Sequence, residues 1–205
     1  TNINEIKIIE PTIHADERGY FLESFNQDQF YNKIGKINFI QDNESKSSFG
    51  VLRGLHFQKS PFEQSKLIRV IKGEIQDVIV DIRKDSDTYL KHVSIILNEK
   101  NKRQIFIPKG FAHGFLVLSD EAIVNYKVDS FYNPKSESGI IWNDKDLSIP
   151  ESASSAIFSL KQLLSLMPAS IFKNQVMISA GKRFSCSLTD FDDKLKSSNP
   201  KASSK

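Results

Sequence analysis

"KLIRVIKGEIQDVIVDIR", Lys66 to Arg83, is the stretch whose reading decides the fold. Val78, Val80 and Ile82 alternate with Asp77, Ile79 and Asp81, a two-residue period that belongs to a strand and not to a helix. Lys72-Gly73 divides the run into two strands. "HVSIILNEKNKRQIFIPKG", from His92, repeats the design, with the polar run Asn98 to Arg103 as the turn. "AIVNYKVDSFYNP", from Ala122, adds another strand. Many short strands separated by Gly, Asn and Pro signals predict an antiparallel sandwich or barrel. Before residue 150 the helical signal is confined to "NQDQFYNKIG", which predicts one short helix from near Asn26 to Gly35.

Composition agrees with a folded β-rich body. Of 205 residues, 39% are hydrophobic and 26% charged, and 15 are Phe. After Pro150 the character changes. "ESASSAIFSLKQLLSLMP" places Ile157, Leu160, Leu164 and Met167 at helical spacing, with Ser154 or Ser155 as cap and Pro168 as stop. The expected organisation is a barrel domain over residues 1–150, a helical extension packed on it over 151–191, and a polar, frayed tail over 192–205.

Charge and cysteine content narrow the function classes. The net charge is +3, but residues 171–205 carry seven Lys/Arg against three Asp, so +3 less +4 leaves −1 for residues 1–170. A nucleic-acid reader spreads basic residues over its folded face, and this body does not. No apolar run approaches a membrane span. The single cysteine, Cys186, excludes an internal disulfide framework, and no basic segment followed by an apolar one opens the sequence. A reducing cytoplasm is the expected setting.

The chemistry is carried by polar residues set inside strands. "GVLRGLHFQ", Gly50 to Gln58, puts Arg53 and His56 in an apolar run, and Lys66 opens the next strand. Burying ionisable groups costs free energy unless they are paired or used. Of the four histidines, His92 reads as a surface residue and His14 as a loop residue. His56 and His113 stand in strand-like or glycine-bounded settings. A metal site would need converging ligands, but Gln58 occupies the position two beyond His56 and no His-x-His occurs. Nucleophile elbows and phosphate-cradling glycine loops are absent from the sequence. Acid–base chemistry remains, with His56, Lys66 and Tyr126 as candidates. Tyr126 shares a strand face with Val124 and Val128, so its ring is expected to point inward, and a core tyrosine with a satisfied hydroxyl is the plain alternative.

Seven ordered motifs extend this reading: "DERGYFLES", "QDNESKS", "GVLRGLHFQ", "KLIRVIKGEIQDVIVDIRKDSDTY", "NKRQIFIPKGFAHGFLVLSD", "YKVDSFYNP" and "GIIWNDKDLSI". In order and spacing, over roughly residues 5–150, they resemble the dTDP-4-dehydrorhamnose 3,5-epimerase family. The resemblance implies a dimeric cupin-type jelly roll that needs no metal or organic cofactor. It implies inversion of two carbons of a 4-keto-6-deoxyhexose carried on dTDP, on the route to dTDP-L-rhamnose for cell-surface polysaccharide. By resemblance His56 is the base, Lys66 stabilises the enolate and Tyr126 is the acid that delivers a proton from the opposite face. Arg18 and Arg53 match pyrophosphate-binding positions, while Glu23, Gln41, Asn43, His113, Glu137 and Lys161 match other substrate contacts. In the family, the segment with Arg18 and Glu23 crosses to the partner subunit's site.

Two expectations test the resemblance. The family orients its base with an aspartate, and aligning "SLKQ", Ser159 to Gln162, with that run puts Gln162 in its place. A neutral amide holds an imidazole but does not stabilise imidazolium, so another carboxylate such as Asp190 or Asp192, slower turnover, epimerisation at C3 alone, or binding without turnover are the open alternatives. A metal-dependent cupin dioxygenase is the rival from another class. Separately, strict alternation puts Arg53 and His56 on opposite faces, so a shared site requires a bend or bulge, and Gly54 is the residue that allows it.

Overall fold

The computed structural model describes residues 1–140, and their architecture is two facing antiparallel sheets with one projecting hairpin. The strands are β1 (Lys7–Ile9), β2 (Ile13–Asp16), β3 (Gly19–Leu22), β4 (Gln41–Ser48), β5 (Leu52–Gln58) and β6 (Lys66–Lys72). They continue with β7 (Glu74–Asp81), β8 (His92–Asn98), β9 (Gln104–Ile107), β10 (Phe111–Val117), β11 (Glu121–Val128) and β12 (Glu137–Gly139). One five-stranded sheet runs β1-β9-β6-β11-β4 and the other β12-β5-β10-β7-β8. The hairpin β2–β3 forms a sheet of its own.

The two strands read from Lys66–Arg83 are β6 and β7, and the break falls at Gly73 as expected. They do not pair with each other: β6 joins the first sheet and β7 the second, so the turn is a corner between layers. Gly73 adopts φ +78°, and a Cβ there would run into Glu121 O and Ser119 Oγ. The same holds for β8 and β9, which the Asn98–Arg103 turn separates into opposite sheets. Chain crossing at these corners wraps one core between the layers.

Cross-strand partners share a face, so the register defines the interior. On the first sheet the inner face includes Ile105 and Ile107 of β9, Lys66, Ile68 and Val70 of β6, and Val124, Tyr126 and Val128 of β11. On the second, Ile75, Ile79, Val93 and Leu97 supply the apolar part. Tyr126 packs against this core, as its alternation with Val124 and Val128 predicts.

Helix α1 (Gln27–Lys33) begins where expected, with the Asn26 side chain accepting from Gln29 N at 3.0 Å. Phe30 is its buried residue and packs with Leu67 and Phe106 on the outside of the first sheet. His14 lies in β2 and not in a loop, on an exposed hairpin where its ring stacks near Phe21. His92 starts β8 and is half-buried. The expected boundaries at 150, 191 and 192, the helix after Pro150, Lys161, Gln162, Asp190 and Asp192 lie outside the described residues.

Candidate active site in the polar half of the barrel

The interior is not uniformly apolar. Towards β4, β5 and β12 the inner faces carry His56, Lys66, Tyr126, His113, Asp77 and Arg53. The shared position of Arg53 and His56 depends on the irregularity expected at Gly54. His113 faces His56 and Phe115 faces Arg53, so two steps along β10 match three along β5. That extra residue is a bulge, and it turns both side chains to one face. Gly54 has φ +118°, and a Cβ would lie 2.6 Å from His113 O, so only glycine fits. Arg53 Nε then donates across the lumen to Ser47 Oγ at 2.8 Å.

The His56 Nε2 lies 3.2 Å from Lys66 Nζ. A lysine ammonium only donates, so Nε2 accepts and the proton of a neutral imidazole sits on Nδ1. Nδ1 is buried with no partner among the described residues. The Lys66 charge, burial, His113 and Arg53 together hold the His56 pKa well below the usual imidazole value. His56 is therefore neutral at pH 7 and able to accept a proton.

Lys66 is itself buried, and desolvation pushes its pKa down to about 8, opposed by the negative charges of Asp77 and Glu137. His113 Nε2 donates to Asp77 Oδ2 at 2.8 Å, and the two imidazoles, His56 and His113, stand 6.2 Å apart at an interplanar angle of 63°. Burial raises the Tyr126 phenol, with Arg53 opposing and Glu137 adding to the rise, so the hydroxyl keeps its proton. An accepting imidazole, a donating ammonium and a protonated phenol thus line one lumen.

Strand β4 forms a polar wall. Its exposed positions alternate with Gln41, Asn43, Ser45 and Ser47, which turn inward, so the inner face holds no apolar residue. Gln41 Nε2 donates to Asn43 Oδ1 at 2.8 Å, and Tyr126 is the cross-strand partner of Asn43. Ser45, Ser47 and Asp77 were not singled out by sequence reasoning. The signal for the serines was present: "QDNESKS" is a strand with no hydrophobic residue on either face. Ser45 Oγ, His56 Nδ1 and Asp77 Oδ1 are the buried side-chain polar atoms without partners among the described residues, and all three belong to these inner faces.

The rim is built by Gln58, the residue that stood where a metal ligand was sought. Its amide donates to Phe62 O at 2.6 Å and Phe131 O at 3.3 Å, while its oxygen accepts from Asn133 N at 2.6 Å. Glu137 sits beside it on β12 and accepts from the Tyr132 hydroxyl at 2.6 Å. Among the described residues no three His, Cys, Asp or Glu side chains converge as metal ligands. Arg18 and Glu23 are not part of this cluster. Arg18 is exposed and pairs with Asp16 at the hairpin tip, and Glu23 accepts from Asn26 and Gln29.

These features define a class: a cupin-type antiparallel barrel with a polar lumen equipped to move protons without a converging ligand set among its described residues. A family model for dTDP-4-dehydrorhamnose 3,5-epimerase matches residues 1–165. The protein of that name from Shigella flexneri is 51% identical over 164 residues, covering 80% of this chain and 91% of its own. That from Methanothermobacter thermautotrophicus is 54% identical over 149 residues, 73% of this chain and 80% of its own. The crystal structure of dTDP-6-deoxy-D-glucose-3,5-epimerase from Legionella pneumophila in complex with dTDP-4-keto-L-rhamnose matches at TM-score 0.70 and 51% identity, covering 73% of this chain and 79% of that one. The chain belongs to the dTDP-4-dehydrorhamnose 3,5-epimerase family. No helix among the described residues is long and apolar enough to cross a membrane.

Proposed function

We propose that this chain epimerises C3 and C5 of a dTDP-4-keto-6-deoxyhexose, with His56 as base, Lys66 as enolate stabiliser and Tyr126 as acid. The observation that carries the reading is the neutral, half-buried imidazole of His56 held 3.2 Å from the buried ammonium of Lys66. Carbons 3 and 5 flank the C4 ketone, so loss of a proton from either one moves charge onto the ketone oxygen. His56 Nε2 takes that proton while Lys66 Nζ turns its hydrogen bond to the developing oxyanion. Charge on the oxyanion is met by a buried ammonium, which acts more strongly there than in bulk water. Tyr126 returns a proton to the opposite face, and inversion follows.

Arg53, Gln41, Asn43, His113 and Glu137 contact the substrate in this reading, with Arg53 on the pyrophosphate. Arg18 and Glu23 reach the site of a second subunit through the β2–β3 hairpin, whose Phe21 and Tyr20 are exposed at 68% and 58% in the single chain. The protein works as a homodimer for that reason, with no cofactor, in the cytoplasm. Residues 1–150 form the catalytic unit and 151–191 an extension, with Lys161 a further substrate contact and Gln162 in the place of the orienting aspartate. A neutral amide in that place lends an imidazolium less support than a carboxylate.

The test is proton exchange. The protein is incubated in deuterated water with the 4-keto sugar nucleotide, and deuterium at C3 and C5 is read by NMR. Label at both carbons is expected. Label at C3 alone reduces the reading to a 3-epimerase, and tight dTDP binding without label leaves a nucleotide-sugar-binding protein. Gln162→Asp is expected to raise kcat.

A further inference from the structure

Among the described residues two buried carboxyl groups, Asp77 and Asp81, have no task in the mechanism above, and Asp81 is paired with Arg83. Asp77, on β7, is fully buried, with Oδ2 accepting from His113 and Oδ1 meeting no hydrogen-bond partner among the described residues. A carboxylate so placed is costly unless an opposite charge compensates it. From Asp77 the contacts run to His113, whose ring stands 6.2 Å from that of His56, and from His56 Nε2 3.2 Å to Lys66 Nζ. Carboxylate, two imidazoles and ammonium thus bridge the two sheets.

We propose that Asp77 is a positioning residue for this reaction, its buried carboxylate serving as the fixed counter-charge of the Lys66 ammonium while it holds His113 by hydrogen bond. The inference rests on the epimerase reading for what Lys66 does, but not for the charge coupling itself.

The groups around Lys66 leave Asp77 as the principal source of negative charge. His56 and Arg53 come from β5, His113 from β10, Tyr126 from β11 and Glu137 from β12. The inner faces of β4, β8 and β9 present no ionisable side chain. Arg53 is cationic and opposes the ammonium. Glu137 is the other carboxylate, but it is held by the Tyr132 hydroxyl at the half-exposed rim, where solvent screens it. Asp77 is unscreened, and its charge is the largest influence raising the Lys66 pKa against desolvation. Coupling then passes onward: a charged Lys66 is the first cause keeping His56 neutral. One carboxylate thus favours the charged form of Lys66 and, through it, the neutral form of His56.

Asp77→Asn is close to isosteric, and its amide oxygen still accepts from His113, so it removes charge and keeps the hydrogen bond. The alkaline limb of kcat, which lies near 8 if it reports Lys66, is expected to move toward acid by at least about one pH unit. Glu137→Gln is expected to move it less. A role in packing alone would scale the profile without displacing it, and that result overturns the proposal. The second measurement needs no turnover: the Lys66 Cε signal of carbon-13-labelled, substrate-free protein, assigned against Lys66→Met, is titrated in both forms. Equal midpoints in wild type and Asp77→Asn also overturn it. If Asp77→Asn does not fold, the wild-type Asp77 carboxyl signal decides: ionised across pH 5 to 8 supports the counter-charge, and protonated at pH 7 removes it. Absence of deuterium exchange, with the Lys66 midpoint still displaced, would sink the epimerase reading and leave this one standing.

Discussion

The two halves of the barrel interior are built on the same strands and do opposite things. Towards β8 and β9 the lumen is filled by Ile75, Val93, Leu97 and Ile105, three of them with no exposure at all. Towards β4, β5 and β12 the same inner faces turn to imidazole, ammonium, carboxylate and hydroxyl. Apolar packing releases free energy with every methylene buried, whereas each charge placed inside costs some of it. The apolar half offsets the cost of the polar half, and the polar half is where chemistry is possible.

Substitutions should therefore separate cleanly into those that alter rate and those that alter stability. The largest effect is expected from His56→Ala, which should reduce deuterium exchange by roughly 10² to 10⁴ without a matching loss in urea stability. Its counterpart, Leu97→Ala, should cost about 2 to 5 kcal/mol in urea denaturation while the pH profile of kcat stays in place. A Leu97→Ala protein with a displaced profile would break the division.

Lys66→Met crosses it. Turnover should collapse, and stability at pH 7 should rise by at most about 3 kcal/mol, because relief from a desolvated ammonium is offset in part by the counter-charge that Asp77 loses. The sign follows from proton counting. Between about 8 and 10.5 the unfolded chain holds a Lys66 proton that the native state has released, so wild-type stability climbs with pH across that window. The gap between wild type and Lys66→Met should narrow there, as urea midpoints over the window would measure.

Smaller still is the acid limb. The native His56 pKa lies below 6.5, so beneath pH 6.5 the unfolded chain binds a proton that the native imidazole refuses. Stability should fall as pH drops, by at most about 1.4 kcal/mol per pH unit from this group, and His56→Asn should remove that component. Ser45→Ala is expected to change stability by no more than about 1 kcal/mol, since its buried hydroxyl has no partner to lose among the described residues, and to raise KM if substrate satisfies it.

Much of the fold was legible because strand chemistry is local. The alternation around Val78 and Val80, the break at Gly73, the short helix near Asn26 and the inward ring of Tyr126 all follow from residue spacing, and each appears in the structure. His14 was misread because "DERGYF" resembles a loop until its two arms are seen to pair. The pairing of His56 with Lys66 was anticipated in kind, from polar residues inside apolar runs. Asp77 was missed because an aspartate within an alternating strand looks like a solvent-facing position unless the sheet's other face is known.

By itself the sequence determined the β-rich class, the strand break at Gly73, the one short helix, and the need for a bulge at Gly54 if Arg53 and His56 were to share a site. Those are consequences of backbone sterics and two-residue periodicity, which act over a few neighbours. Only the tertiary structure decided that β6 and β7 enter opposite sheets, that β4 lines the lumen with amides and hydroxyls, and that Asp77 faces inward towards His113. Which face of a strand is buried depends on what packs across from it, and the partner strands lie tens of residues away along the chain.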